Sequence, residues 1–508
     1  MTRAGPACMT CREKCRKCDR GRPSCQRCTS KGLVCQGYPD QFRFCGIASR
    51  GKWKNARIPT SDKTTQNIKP ASPTEQLSSM AITSGGSTPP ASTTISRRSK
   101  RMAIETVLVK PVPEISDDVS SLLAAEQTNR LLHHYDTFIV PHQIAEIGDE
   151  KDNPYRAYIL PLARKQIGLL YAVLGLSAVH LGKLTGDATL IEATSVEYRV
   201  KAIRALSEKI RKGQNTSLSE EEEDGVFATI QILLLHDIAE SGISEHGIHI
   251  TGAMSVCKSI LISEGFNGRR QRAVFFIGNL AWLDVIRAFS GTRRLCCTQE
   301  IREMVATADH RFELVNGCPR DIFLIIGRAL DKAKEYKMGW TSDEDFRSTL
   351  MSAKFELQAW DAKSRNYPSS DPRWVSVAIA FQFACILHIH RLLDPSQPAG
   401  SPEIQAAVQE ILDATADIPS DCTLIELLIL PLFMAGADAL SRHSQYYVLA
   451  RFREIERRSE MRNPVPADLL QQVWAARAAQ GAGNEGNILW RDFTCFPELP
   501  RQHDYLII

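Results

Sequence analysis

Residues 8–35 read CMTCREKCRKCDRGRPSCQRCTSKGLVC, and six of the cysteines in this stretch repeat one interval. The pattern C-x2-C-x6-C occurs twice, at Cys8, Cys11 and Cys18 and again at Cys25, Cys28 and Cys35. A C-x2-C pair lets two thiolates bind one metal ion from a single tight turn. Because a structural zinc site takes four ligands, six thiolates can serve two zinc ions only if two of them bridge both metals. The spacing therefore predicts a pseudo-symmetric cluster of two zinc ions.

The residues between these cysteines indicate double-stranded DNA as the partner. Residues 1–60 contain 14 Lys and Arg against 3 Asp and Glu. The basic side chains are densest in the first half of the repeat, at Arg12, Lys14, Arg16 and Lys17. A helix that carries them can reach phosphates or base edges in a major groove. The first half is therefore predicted to contact DNA, since residues 29–34 carry only Lys31.

These residues resemble the fungal binuclear zinc cluster family of transcription factors. The resemblance lies in the Ala-Cys pair at 7–8, the run R-x-K-x-x-K-C-D at 12–19 and the R-P-x-C run at 22–25. It implies that Cys8 and Cys25 bridge the two zinc ions. One zinc would add Cys11 and Cys18, and the other would add Cys28 and Cys35. It also implies that the first helix lies in the major groove over a CGG-type half-site.

Cys15 departs from the family pattern, because members usually carry Lys or Arg at this position to contact the half-site bases. A thiol cannot make a bidentate cationic contact to guanine, so a CGG preference does not transfer directly. Cys15 is interpreted as a free thiol, and whether it faces the DNA or faces away stays open. A four-thiolate set of Cys8, Cys11, Cys15 and Cys18 is disfavoured, since it leaves the second C-x2-C-x6-C repeat without a role.

A disulfide framework is the alternative use of these cysteines. It requires an oxidising compartment and normally a secretory signal. The first residues, MTRAGP, contain no apolar segment, and most of the later cysteines are scattered singly. The interpretation is a reduced, zinc-binding module with Cys45 as a free thiol.

The composition divides the chain into three predicted segments: the zinc cluster at 1–45, a linker at 46–117 and a helical domain at 118–508. Residues 1–101 carry 20 basic against 5 acidic side chains, and the remainder carries 42 against 53. Within the linker, 17 of the 26 residues at 71–96 are Ser, Thr, Pro or Gly, which predicts disorder. Basic clusters at 50–54 and 97–101 fit nuclear import signals or solvated linker charge equally well.

The segment from 118 onward has helical periodicity throughout, and no alternating strand pattern stands out. Helices are predicted at 167–181, 224–239, 270–289, 321–336, 374–393, 402–416 and 424–440. The predicted fold is therefore mostly α, with a small zinc-cysteine cluster, a disordered linker and one large all-α regulatory domain. The apolar run at 375–387 is too short for a membrane span, and the stretch at 424–440 contains Glu426, Pro431 and Asp438.

The helical segment also resembles a fungal-specific transcription factor regulatory domain. The blocks that carry this resemblance lie in order at 153–163, 174–181, 249–253, 430–436 and 451–493. Family members commonly dimerise through a coiled coil behind the zinc cluster. No sustained heptad of apolar residues lies between 36 and 117, so a homodimer is left open.

Two patterns favour an enzyme on formal grounds. Residues 481–486, GAGNEG, match G-x-G-x-x-G but follow an Ala-rich helix and not a strand, so they are interpreted as a loop. Metal-ligand types also crowd one segment: His236, Asp237, Glu240, Glu245, His246 and His249. Without an H-E-x-x-H motif, they are interpreted as ordinary helix-surface and turn residues.

The acidic run at 220–224 follows Ser219, which forms a capping-box pattern with Glu222. A helix cap is preferred here to an acidic activation patch.

The sequence predicts a nuclear, zinc-dependent, sequence-specific regulator of transcription that contacts DNA and the transcription machinery, and not an enzyme. The alternative is a helical enzyme or scaffold protein whose zinc module binds nucleic acid non-specifically or holds a protein partner. No membrane partner is predicted.

Overall fold

The structure, a computed structural model, describes residues 8, 10–11, 14, 16–19, 25–33, 35, 118–145, 153–244, 250–254, 271–291, 294–308, 311–480, 487–494 and 504–507. The chain divides into two units, Met1–Pro113 and Glu114–Ile508. The predicted linker, both basic clusters, Cys45 and the loop at 481–486 lie outside the described residues. Each unit is described by itself.

Helices make up most of the described part of the second unit. The N-terminal unit contains α1 (Gln26–Ser30). The α-helices of the second unit are α2 (Val119–Ala124), α3 (Glu126–His134), α4 (Leu160–Ala163), α5 (Ile167–Thr185), α6 (Ser195–Asn215), α7 (Glu220–Glu240), α8 (Gln271–Ser290), α9 (Gln299–Ala308), α10 (Phe312–Asn316), α11 (Arg320–Lys337), α12 (Asp343–Ala359), α13 (Arg373–Leu393), α14 (Pro402–Ala416), α15 (Ile429–Asp438), α16 (Arg442–Ser459) and α17 (Val465–Ala479). Tight 3₁₀ turns lie at Val140–Gln143, Ala362–Ser364, Thr423–Leu428 and Trp490–Phe493, and π-helical turns at Tyr135–Ile139, Tyr155–Ile159 and Leu190–Thr194.

The core of the second unit is built on helices that are apolar around most of their circumference. In α7, every residue from Asp224 to Ala239 is buried, and in α8 every residue from Ala273 to Ser290 is buried. Helices of this kind must be covered on all sides, since an apolar helix exposed to water forfeits the stabilisation that burial provides. One continuous apolar cluster accordingly runs from Leu122 to Ile507.

Most predicted helices are confirmed, and 402–416 has the bounds expected from the sequence. The prediction of one helix over 424–440 is wrong. This stretch is the 3₁₀ turn Thr423–Leu428 followed by α15. Pro431 lies in the first turn of α15, where a missing N–H is tolerated, whereas inside one longer helix its ring would clash with the carbonyl four residues earlier.

Ser219 caps α7 as predicted. The Ser219 hydroxyl accepts the Glu222 N–H at 3.3 Å, and the Glu222 carboxylate accepts the Ser219 N–H at 2.9 Å. This capping box starts the helix at Glu220, four residues before the predicted boundary. The acidic side chains of the first turn lie beside the positive end of the helix dipole, which stabilises them there.

One short sheet was missed by the sequence analysis. β1 (Ile243–Ser244) pairs antiparallel with β2 (Asp504–Tyr505), with Ile243 opposite Tyr505. Two-residue strands carry no alternating pattern, so the sequence holds no signal for them. The pairing ties the C-terminal residues to the end of α7.

Within the part of the chain that the structure describes, three helices have the length and apolar composition of a membrane span: α5, α8 and α13. The sequence argument that the run in α13 is too short is wrong, because that helix extends over 21 residues. Within the second unit these helices are largely buried, and residues 273–290 of α8 are all buried.

Candidate metal centre

The described part of the N-terminal unit has a core of thiols instead of hydrocarbon side chains. Four cysteines are fully buried, namely Cys8, Cys11, Cys25 and Cys28. Cys18, Leu33 and Cys35 are partly buried against them. So few residues cannot bury enough apolar surface to fold by hydrophobic packing alone. The cysteines therefore occupy the place that a hydrophobic core takes in a larger domain.

The six sulfur atoms form two overlapping groups of four. Within each group, all Sγ atoms lie within 4.8 Å of one another, and the groups are Cys8, Cys11, Cys18, Cys25 and Cys8, Cys25, Cys28, Cys35. Both groups contain Cys8 and Cys25. A tetrahedral zinc site with Zn–S bonds of about 2.3 Å has sulfur–sulfur distances of about 3.8 Å. The Sγ atoms of Cys8 and Cys25 lie 3.6 Å apart, and those of Cys11 and Cys25 lie 3.7 Å apart. The donor set thus fits two zinc ions in both chemistry and spacing.

The two halves of the repeat have the same local geometry. The Cys11 N–H donates to the Cys8 Sγ at 3.4 Å, and the Cys28 N–H donates to the Cys25 Sγ at 3.3 Å. In each half, the sulfur that accepts this bond is the one common to both groups of four. A backbone N–H stabilises the negative charge of a thiolate, so the two shared sulfurs receive the same electrostatic support.

Burial favours the protonated form of the Cys8, Cys25 and Cys28 thiols in the absence of a cation. Burial raises the pKa of the Cys8 thiol far above its ordinary value. The Cys28 N–H lowers the pKa of Cys25, but burial and the neighbouring thiols outweigh it and raise this pKa to about 12. Because zinc binds the thiolate, metal binding must displace these protons.

Asp19 positions the second half of the repeat, a role that the sequence analysis did not assign. Its carboxylate accepts the Gln26 N–H at 3.0 Å and the Arg27 N–H at 3.2 Å. Both donors belong to the first turn of α1, whose N–H groups have no partner inside the helix. The sequence signal for this role was an acidic residue directly after Cys18. Its nearer partner, Gln26, lies seven residues further along the chain and comes close only when the cluster folds.

Arg27 is a second missed residue. Its guanidinium Nη1 lies 3.7 Å from the Cys11 Sγ, so a cation of the second half contacts a sulfur of the first. An N–H donated to sulfur stabilises the thiolate form. This contact reduces the repulsion among the thiolates.

Three of the four predicted DNA-contacting side chains are described. Lys14, Arg16 and Lys17 are exposed. The Lys14 N–H donates to the Thr10 carbonyl at 3.3 Å and the Arg16 N–H to the Cys11 carbonyl at 2.9 Å, so a helical turn carries the first two. Arg12 lies outside the described residues, and so does Cys15.

The second group of potential metal ligands, on α7, is paired with a cation of the protein itself, Arg199. His236, Asp237 and Glu240 lie together on α7, and the first two are buried, which corrects the prediction of surface residues. The Arg199 guanidinium contacts Asp237 at 2.5 Å and also contacts Glu240. The Ser244 hydroxyl donates to the other Asp237 oxygen at 2.6 Å. These groups form an ion-pair network that joins α6 to α7. Glu245, His246 and His249 lie outside the described residues.

Residues 130–508 match the family described as the fungal specific transcription factor domain. The chain belongs to this family. Residues 6–44 match the fungal Zn(2)-Cys(6) binuclear cluster domain, which binds two zinc ions and DNA. The family resemblance, the mostly helical fold and the two-zinc cofactor predicted from the sequence are confirmed. The chain is a zinc-dependent, DNA-binding regulator of transcription. This function is favoured over the alternative of a helical enzyme or scaffold protein.

Two curated relatives are similar along nearly the whole chain. The acriflavine sensitivity control protein acr-2 of Neurospora crassa is 22% identical, over 95% of this chain and 94% of its own length. The pestheic acid cluster transcriptional regulator 3 of Pestalotiopsis fici is also 22% identical, over 87% of this chain and 89% of its own length. No solved structure matches the chain.

Proposed function

We propose that Cys8 and Cys25 bridge the two zinc ions, that Cys11 and Cys18 complete one tetrahedral site, and that Cys28 and Cys35 complete the other. The observation that carries this assignment is that the two groups of four sulfurs have Cys8 and Cys25 in common. The matching N–H bonds to these two sulfurs support it independently. The segment boundaries 1–45, 46–117 and 118–508 belong to the same proposal and agree with family matches over 6–44 and 130–508.

The basic turn of the first half is proposed as the DNA contact. Arg12, Lys14, Arg16 and Lys17 follow the first zinc-binding pair, and the described three are exposed. Bound zinc ions would fix the backbone of this turn, which would reduce the entropy lost on binding DNA. Phosphate contacts supply affinity, and contacts to base edges supply selectivity.

The regulator is proposed to act in the nucleus, on a restricted set of pathway genes, and without catalytic activity. The basic clusters at 50–54 and 97–101 supply candidate import signals. A name that ties one relative to a gene cluster supports pathway-specific regulation. The helical domain is proposed to contact the transcription machinery, and a homodimer on paired half-sites is the assembly that the family resemblance favours.

The experiment is selection of duplexes from random DNA by the zinc-loaded full chain. A defined motif should be enriched, and the enrichment should disappear with Cys25→Ser, which removes a proposed bridge. Cys422→Ser is the matched control, since Cys422 lies in the helical unit, and it should retain selection. Enrichment of no motif by the wild type, with two zinc ions bound, would contradict sequence-specific binding and favour a non-specific nucleic-acid module.

A further inference from the structure

The helical unit contains a cavity that the family assignment does not explain. Its volume is about 190 Å³. Most of its lining is apolar, with the side chains of Trp282, Leu283, Phe381, Leu430 and Ile455 among the walls. An engineered apolar cavity of about 150 Å³ in another protein holds a benzene molecule. The space is therefore large enough for an organic molecule of one or two rings.

A chain of uncharged polar side chains crosses this apolar lining. The Gln231 Nε2 donates to the Tyr155 hydroxyl at 3.0 Å, and the Asn279 Nδ2 lies 3.5 Å from the same oxygen. The Asn316 Nδ2 donates to the Asn279 Oδ1 at 3.4 Å. All four residues line the cavity and all four are buried. Polar groups placed in an apolar pocket in small number are typical of sites that orient a ligand.

Among these four polar side chains, one buried atom has no hydrogen-bond partner within the described residues. Gln231 is only 1% exposed, and its Oε1 forms no hydrogen bond with the described residues. A buried carbonyl without a donor destabilises the fold, and nearly all buried polar atoms in proteins are paired. Gln231 is one of the residues that line the cavity, and a hydrogen bond donated to this oxygen by a bound molecule would satisfy it.

The local backbone holds Tyr155 in place for this network. Tyr155 begins a π-helical turn, and such turns are frequent at functional sites. Its N–H donates to the Asn153 Oδ1 at 2.9 Å, while the Asn153 Nδ2 donates to the Val140 carbonyl at 3.1 Å. The hydroxyl is thus positioned by the chain before any ligand enters.

The charged residues that line the cavity are more exposed than the four residues of the polar chain. Glu426 contacts His142 at 3.1 Å and Arg458 at 2.8 Å, so its charge is compensated within the protein. Arg462 is exposed and Glu456 is half-buried. The four residues of the polar chain carry no charge. An ionised ligand would have to give up its hydration without a compensating charge, so the interior selects uncharged molecules.

We propose that this cavity binds a small, uncharged, ring-containing molecule whose hydroxyl or N–H donates a hydrogen bond to the Gln231 Oε1. The inference rests on the proposed function in one respect, namely that such a ligand acts as an effector of transcription. Binding itself is independent of DNA.

The test uses the zinc-loaded full chain and three probes of one size: 2-naphthol, naphthalene and 2-naphthoate. Titration calorimetry should give at least tenfold tighter binding for 2-naphthol than for naphthalene, since the unpaired carbonyl is satisfied only by the hydroxyl. The anion 2-naphthoate should not bind measurably. The Gln231→Leu variant should bind 2-naphthol and naphthalene with equal affinity.

Gln382→Leu is the matched control. Gln382 is also a buried glutamine, but it binds the carbonyls of Leu357 and Trp360 and is not part of the cavity lining. This variant should keep the preference for 2-naphthol. The ratio of the wild-type affinities for 2-naphthol and naphthalene is measured without any variant. The proposal therefore stays testable even if Gln231→Leu fails to fold.

Equal wild-type binding of 2-naphthol and naphthalene would overturn the role of Gln231, and absence of saturable binding would overturn the site. Duplex selection by the wild type is measured separately. Failure of selection with intact naphthol binding would contradict the proposed function alone, and intact selection without naphthol binding would contradict the cavity proposal alone.

Discussion

The Sγ atoms of Cys8 and Cys25 lie 3.6 Å apart, although 17 positions of the chain separate the two residues. Each opens one C-x2-C pair, and each accepts the N–H of the cysteine that closes that pair. The two halves of the repeat therefore meet through their first cysteines. A bridging role for both follows if two metal ions lie on either side of this contact.

We predict two zinc ions per full chain. Cys8→Ser should remove a ligand from both sites and reduce the content below one, because each metal then lacks a tetrahedral set. Cys28→Ser should leave about one zinc, since it completes a single site. Metal analysis after dialysis measures the stoichiometry. Cys385→Ala, a substitution in the helical unit, should keep both ions. Two zinc ions retained in Cys18→Ser would contradict the assignment of Cys18 as a ligand.

Asp19→Ala should make the zinc cluster easier to dismantle. The substitution leaves the Gln26 and Arg27 N–H groups of α1 without their cap, which typically costs about 1 kcal/mol. Competition with a chelator, followed by zinc release, measures the change as a roughly fivefold shift in the midpoint. Ser30→Ala on the same helix is the control and should shift it far less. An unchanged midpoint in Asp19→Ala would show that the cap does not contribute to cluster stability.

DNA affinity should fall steeply as salt concentration rises. Lys14, Arg16 and Lys17 are exposed, and each phosphate contact releases counterions on binding. Substituting any of them with Ala should weaken binding and reduce the slope of log affinity against log salt by about one. Lys31→Ala, in the second half of the repeat, is the control. Equal losses on specific and scrambled duplexes for all three variants would place base recognition on other residues.

Cys15→Lys directly tests the position at which this sequence departs from the family pattern of Lys or Arg. A lysine at this position restores a cation where family members use one, and should tighten binding to a CGG-containing duplex by about 1–3 kcal/mol. Parallel titrations against CGG-containing and scrambled duplexes measure the effect. A gain on both duplexes would reveal only added attraction to phosphates. No gain on either would show that residue 15 faces away from the DNA.

The stability of the helical unit should decrease as the pH falls from about 6.5 towards 4. The Nε2 of His134 and the Nδ1 of His180 lie 2.9 Å apart in the core. Burial lowers the pKa of each imidazole from 6.5 to about 4. The unfolded chain therefore takes up protons first, and protonation favours unfolding across this interval.

Denaturant unfolding at several pH values measures this effect. The double variant His134→Gln, His180→Gln should show a flatter dependence between pH 6.5 and 4 than the wild type. His443→Gln is the control, because His443 is exposed. A slope unchanged by the double substitution would assign the pH dependence to other groups.

Much of this protein is readable along the chain because its signals are local. The six cysteines act at short, fixed intervals, and the period of the apolar residues marks most helices. Ser219 and Glu222 cap α7 from three positions apart. By contrast, the boundary between the 3₁₀ turn and α15 at Ile429 was missed because apolar residues continue on both sides of it. The pair β1 and β2 was missed because two residues carry no period.

The sequence by itself determined the metal, the ligand type, the basic turn beside the ligands and the helical class of the larger unit. Each of these depends on residue chemistry and on spacing within a few turns. The tertiary structure alone decided that Asp19 caps α1, that Arg27 contacts Cys11, that Arg199 pairs with Asp237, and that Gln231 and Tyr155 meet at a cavity. These contacts join positions between 7 and 76 residues apart. Residues this far apart in sequence come into contact only in the folded protein, so no local sequence pattern predicts these contacts.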